Sequence, residues 1–165
     1  MLHAQSQHIC LGMDHGFGQS RNLIIGGPHS GGSWERLDRF SFGDHSELAD
    51  ELLSLVLRRL KTATCWPIEE GQQTEVGRRS VVCDGAGCPR AILETVSIEQ
   101  MAFDQVGQEF AAREGEGDGS LHHWRTSHRE YLERAGIFRP DMLLWCETFR
   151  LISVLDEPAQ FHEGQ

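Results

Sequence analysis

The sequence predicts an α+β domain built on a curled sheet or small barrel. Three observations predict it. Segments of strand character at 62–66, 79–84, 89–98 and 142–154 do not alternate regularly with helical ones. Two of them bracket Asp84-Gly85-Ala86-Gly87, a hairpin-type turn. Three other stretches repeat apolar residues at helical spacing. The expected order is helix, three strands, two helices, strand.

Residues 1–32 hold 7 of the 18 glycines and four of the nine histidines around a single apolar cluster, Leu23-Ile24-Ile25, and read as a flexible N-terminal tail. The packed domain is expected over 33–155, with a polar C-terminal tail at 156–165. The first helix is expected over 45–60, where Asp44 as N-cap and Glu47 three residues on make a capping-box start. Leu48, Leu52, Leu55 and Val56 then give it one apolar face. Thr62–Trp66 is short and β-branched enough for a strand, and a polar loop runs to Gly77. The hairpin follows. A second helix is expected over 103–113. A third, capped by Asp118, carries Leu121, Trp124, His128, Tyr131 and Leu132 on one side. Met142–Val154 has the composition of a central strand.

At 165 residues, 39% apolar and 24% charged, the chain is one soluble domain in profile. No apolar run approaches the roughly 20 residues of a bilayer span. The first basic residue is Arg21 with no apolar segment behind the start, so a cytoplasmic protein is expected. A net charge of -10 repels a polyanion, so any grip on nucleic acid must be local. Five cysteines, an odd count, argue for reduced thiols. Of 15 basic residues only Lys61 is lysine. At the end of the first helix it admits two readings: a cation on the helix dipole, or a group that exchanges a proton with Thr64 or with water.

Glu114-Gly115-Glu116-Gly117-Asp118-Gly119-Ser120 spaces carboxylates as a calcium loop does, but position twelve is Arg125, not glutamate, which excludes an EF-hand. A looser divalent site at Glu114, Glu116 and Asp118 stays open beside a plain solvated loop. His122, His123, Trp124, Arg125 and His128 gather on the third helix. His128 and Trp124 read either as core or as groups that meet a base, and Arg125 with His122 as partners for phosphate.

Phe42-Gly43-Asp44, Leu48-Ala49-Asp50-Glu51-Leu52, Lys61-Thr62-Ala63-Thr64, Asp84-Gly85-Ala86-Gly87, Glu94-Thr95 and 110–121 with Trp124-Arg125 and His128 together resemble an ASCH domain. The resemblance covers about 34–154. It implies a PUA-like fold, a small β-barrel flanked by helices, with a cleft associated with RNA or modified nucleosides. Short members of that superfamily remove the acetyl group of N(4)-acetylcytidine with a lysine, a threonine and a glutamate, which fall here on Lys61, Thr64 and Glu114. The glutamate is placed by its distance from Ala111. The implied roles are Lys61 as base, Thr64 as nucleophile or water-positioning group, and Glu114 as acid toward the leaving amine, with Ser120, Trp124, Arg125 and His128 as substrate-binding candidates. Should Lys61 keep its proton beside Glu114, it would stabilise negative charge instead. Amide hydrolysis requires no cofactor. Two alternatives share the cleft: a ribonuclease on single-stranded RNA, which admits a divalent metal at Glu116 and Asp118, and a noncatalytic RNA-binding module.

Overall fold

Two long antiparallel strands organise the sheet, β4 (Pro89–Ala102) and β5 (Leu143–Val154). Their register shifts at Ile92/Leu93 and again at Thr95/Ser97. Such irregularities bend a strand and increase its twist, which curls this sheet into a half-barrel. The computed structural model describes residues 33–155, and the tails read at 1–32 and 156–165 lie outside the described residues. β3 (Arg79–Cys83) pairs antiparallel with β4, and the short β1 (Asp38–Phe40) lies parallel to β3 at one edge. β2 (Ala63–Pro67) pairs antiparallel with β5 at the other edge, giving the order β1-β3-β4-β5-β2. The α+β expectation holds, with β1 added before the first helix.

Helix α1 spans Ser46–Leu57 and buries Leu48, Ala49, Leu52, Leu53 and Val56. Leu48, Leu52, Leu53 and Val56 pack on Phe40, Phe42, Val82, Ala91, Leu93 and Phe149, and each large side chain so buried contributes about 2 kcal/mol. Its N-cap is His45, not Asp44: the extended His45 backbone lets the ring Nδ1 accept the Leu48 amide at 3.2 Å. The hairpin turn docks on this helix. Gly85 donates to Asp50 Oδ1 at 2.7 Å, and a Cβ at 85 would come within 2.2 Å of the Ser46 carbonyl. Cys65, Cys83, Cys88 and Cys146 are all free thiols.

The helix expected over 103–113 is two pieces, a 3-10 turn at Phe103–Gln105 and α2 at Gln108–Glu114, because Gly107 takes an extended conformation between them. α3 (Leu121–Arg134) is capped by Ser120, whose Oγ accepts the His123 amide at 3.0 Å; Asp118 instead accepts the Ser120 amide at 2.9 Å. α2 and α3 cover a second core of Cys65, Phe103, Val106, Ala111, Trp124, Leu132, Met142, Leu144 and Cys146. Among the described residues no helix is long and apolar enough to cross a membrane.

Candidate active site

The junction between α1 and β2 turns Lys61 inward. Arg59 adopts a left-handed conformation (φ 60°), and the amides of Leu60 and Lys61 both donate to the Leu55 carbonyl, at 2.9 and 3.2 Å. Leu60 is left exposed while Lys61 is only 1% exposed. Its ammonium donates to Glu116 Oε1 at 2.7 Å, lies 3.7 Å from Glu114 Oε2, and stands 5.5 Å over the Phe42 ring.

Two glycines of the acidic loop make this convergence possible. α2 ends in the left-handed Gly115 (φ 69°), whose missing Cβ would come within 2.2 Å of the Leu60 carbonyl. The Thr62 amide donates to the Arg113 carbonyl at 2.7 Å across the same contact. Gly117 (φ 56°) lies under the His123 ring, where a Cβ would sit 2.2 Å from Nε2. A side chain at Gly115 would press on the Leu60–Lys61 backbone and push the acidic loop away from Lys61.

Burial alone would lower the Lys61 pKa, but the charges of Glu116 and Glu114 and the Glu116 hydrogen bond override it, and the net direction is above the ordinary 10.5. Lys61 is therefore an ammonium. With both carboxylates ionised the cluster carries one cation and two anions. A buried ion cluster adds little stability over apolar residues of the same shape, so its presence in a core calls for another explanation.

Glu114 is fully buried; neither carboxylate oxygen has a nitrogen or oxygen donor at hydrogen-bond distance among the described residues, and the Cys65 thiol interacts with it as a hydrogen-bond partner. His128 Nε2 stands 3.6 Å from Glu114 Oε2. The His128 ring stacks on Trp124 at 4.2 Å, with Nδ1 2.9 Å from the Trp124 carbonyl, a contact that assigns the proton to Nδ1. Cys65 completes this side: burial and the neighbouring Glu114 push its thiol pKa well up. Cys65, Glu114 and His128 are the one set of three metal-ligating side chains among the described residues with donor atoms within 4.8 Å of one another.

Thr64 precedes Cys65 in β2, so the two side chains leave opposite faces of the strand. Its hydroxyl is buried and has no hydrogen-bond partner among the described residues. Across the register Thr64 faces Glu147, a buried carboxyl that accepts from Thr95 Oγ1 at 2.6 Å; Thr95 in turn shares a 2.7 Å bond with Thr74. Sequence reasoning missed Glu147. The available signal was one carboxylate inside an otherwise apolar strand. Burial pushes its pKa from 4.5 up to about 7, with Thr95 and Lys61 pulling it back only in part. Between these values the unfolded chain has lost a proton that the folded chain keeps, so stability falls as pH rises from 4.5 through 7, by about 3 kcal/mol in total. Glu147→Gln cannot titrate and is expected to flatten that slope. Urea unfolding at pH 5 and pH 8 checks it, and equal slopes in both proteins would refute it.

The remaining expected site residues serve the fold where they stand. Ser120 caps α3, and Trp124 is only 3% exposed and packs on Phe103. Arg125 donates to the carbonyls of Asp104 and Val106 at 3.1 and 3.2 Å, tying α3 to the turn before α2. Glu114 and Glu116 point inward to Lys61, whereas Asp118 is exposed and bonded to Ser120. The acidic loop thus divides its carboxylates between two environments.

A cavity of about 370 Å³ lies between residues 41–46 and the Asp84–Gly87 turn, and Phe42, the residue under Lys61, lines it. Among the described residues its lining includes Asp44, His45 and Asp84 and no arginine or lysine. That size suits a small ligand, and that polarity suits hydroxyl groups better than phosphates.

An ASCH domain family model matches residues 38–153. Among solved structures, the crystal structure of an ASCH domain from Lactobacillus crispatus JV V101 has a TM-score of 0.63 and 35% identity, covering 69% of this chain and 78% of that one. A protein from Enterococcus faecalis V583, of family DUF984, has a TM-score of 0.61 and 34% identity, covering 71% and 77%. No curated protein matches the chain.

Proposed function

The chain belongs to the ASCH domain family, and from that premise we propose that it hydrolyses the acyl amide of a modified nucleoside such as N(4)-acetylcytidine at the Lys61–Glu114–Glu116 cluster. The observation that carries this reading is the fully buried Lys61 ammonium 3.7 Å from the equally buried Glu114 carboxylate. A fixed cation beside an unsolvated carboxylate is what acyl transfer to water needs. The carboxylate takes a proton from water as the oxygen attacks the acyl carbon. The cation meets the negative charge that develops on the carbonyl oxygen.

The roles then follow from the distances. Glu116 holds Lys61 in place at 2.7 Å. Glu114 is the base, and on collapse of the tetrahedral adduct it returns the proton to the departing exocyclic nitrogen, leaving acetate and a free amine. His128 Nε2 stands 3.6 Å from Glu114 Oε2 on its other side. Lys61 acts through its charge, because a raised pKa makes it a poor proton acceptor at neutral pH. Water is the nucleophile. Thr64, whose hydroxyl has no base on it among the described residues, would orient the substrate rather than attack it. The cavity beside Phe42 would take the nucleoside, and its acidic lining favours a nucleoside over a polyanion.

The test is release of acetate and cytidine from N(4)-acetylcytidine, with single-stranded RNA incubated in parallel with and without chelator. Acetate release with intact RNA is expected. RNA cleavage without acetate release would replace this reading with a ribonuclease.

A further inference from the structure

Cys65 has no part in the reaction proposed above, yet it lies with Glu114 and His128 in a buried triangle. We propose that Cys65, Glu114 and His128 form a binding site for a thiophilic divalent cation of the zinc type, which withdraws Glu114 from hydrolysis when it binds. Only the effect on activity rests on the hydrolytic reading; the binding does not.

The geometry argues it in three steps. His128 bonds the Trp124 carbonyl through Nδ1 and turns Nε2 toward Glu114 Oε2 at 3.6 Å. That distance is too long for a direct hydrogen bond between them. A cation between them would bridge the two. Metal bonds of about 2.0–2.1 Å to nitrogen and oxygen give a tetrahedral edge of roughly 3.3 Å, so the observed separation needs to close by only a few tenths of an ångström. Cys65 supplies the third vertex within 4.8 Å, leaving the fourth for water.

The donor set selects the ion. A thiolate, an imidazole and a carboxylate suit zinc and cobalt and do not suit magnesium or calcium. A backbone carbonyl accepting from the ring's Nδ1–H, as that of Trp124 does here, is a usual outer partner of a zinc-bound histidine. A divalent cation binds here by displacing the thiol proton of Cys65. In that step the S–H bond breaks, a sulfur–metal bond forms, and the proton passes to the buffer. Lys61 bonds Glu116 at 2.7 Å and only approaches Glu114 at 3.7 Å, so Glu114 has room to turn toward the ion.

The experiment titrates the full-length, chelator-treated chain with Co²⁺ and Zn²⁺, following the thiolate-to-cobalt charge-transfer band and the binding heat. Other cysteines and histidines offer weak sites, so the result lies in the difference between variants. The wild type is expected to bind Co²⁺ with a thiolate band that Cys88→Ser keeps. Cys65→Ser should lose the band, and both it and His128→Asn should weaken binding by more than about 100-fold, the upper cost of a lost outer partner. A band that survives in Cys65→Ser overturns the site, as does a folded chain that gives no thiolate band. Should Cys65→Ser fail to fold, the side-chain ¹⁵N signal of Lys61, the one lysine, must shift in the wild type on zinc addition, and an unmoved signal overturns the proposal. Acetate release by the metal-free protein is measured separately. A Cys65-dependent band without acetate release leaves this site standing and removes the hydrolase. Acetate release without the band does the reverse.

Discussion

Replacing Lys61 by methionine is expected to cost both activity and stability. Methionine keeps most of the side-chain volume and removes the charge, so the developing oxyanion loses its only buried cationic partner among the described residues. Loss of one such partner lowers turnover by about 10²–10³. The substitution also leaves Glu114 and Glu116 buried without their counter-ion, which costs about 3 kcal/mol. A merely structural ion pair predicts the stability loss alone. The triple variant Lys61→Met, Glu114→Gln, Glu116→Gln separates the two effects. It should recover most of the stability in urea unfolding and none of the acetate release. Wild-type turnover in Lys61→Met would remove the lysine from the chemistry.

Glu114→Gln is expected to move activity and stability in opposite directions. The amide matches the carboxylate in shape but accepts no proton from water, so turnover falls by about 10²–10⁴. The same change takes the buried cluster from one net negative charge to none. Thermal stability should hold or rise, by about 2–4 °C for each kcal/mol of relieved repulsion in a chain of this size. Functional groups held at a cost to the fold behave this way. A variant that keeps full acetate release would assign the base elsewhere, and a variant that melts well below the wild type would make Glu114 a structural residue.

Much of the scaffold was legible because its signals are local. The apolar face of α1, the Asp-Gly turn between β3 and β4, and the long apolar run of β5 each follow from periodicity or turn chemistry. β1 was not legible, since Asp38-Arg39-Phe40 is too short to show a period and is held by pairing with β3. Both helix caps shifted by one or two residues, from Asp44 to His45 and from Asp118 to Ser120, because several polar residues at each start compete for the same amides. In the site, Lys61 stood out as the one lysine, and family resemblance pointed to Glu114. Their meeting was not readable: it depends on Arg59 turning left-handed without being glycine, and on Gly115 letting α2 touch Leu60. Glu116 reads from the sequence as a solvated loop carboxylate or as a ligand of a loose divalent site, and Glu147 is hidden in a strand rich in apolar and β-branched residues.

The charge on Lys61 while substrate is bound is the point on which the account turns. Because the chain contains one lysine, labelling with ¹⁵Nζ-lysine gives one side-chain signal. The account predicts an ammonium signal that persists at least to the ordinary pKa of 10.5 and shifts when N(4)-acetylcytidine saturates the protein. A signal that deprotonates near neutral pH, or one unmoved by a nucleoside that the protein is hydrolysing, would contradict it.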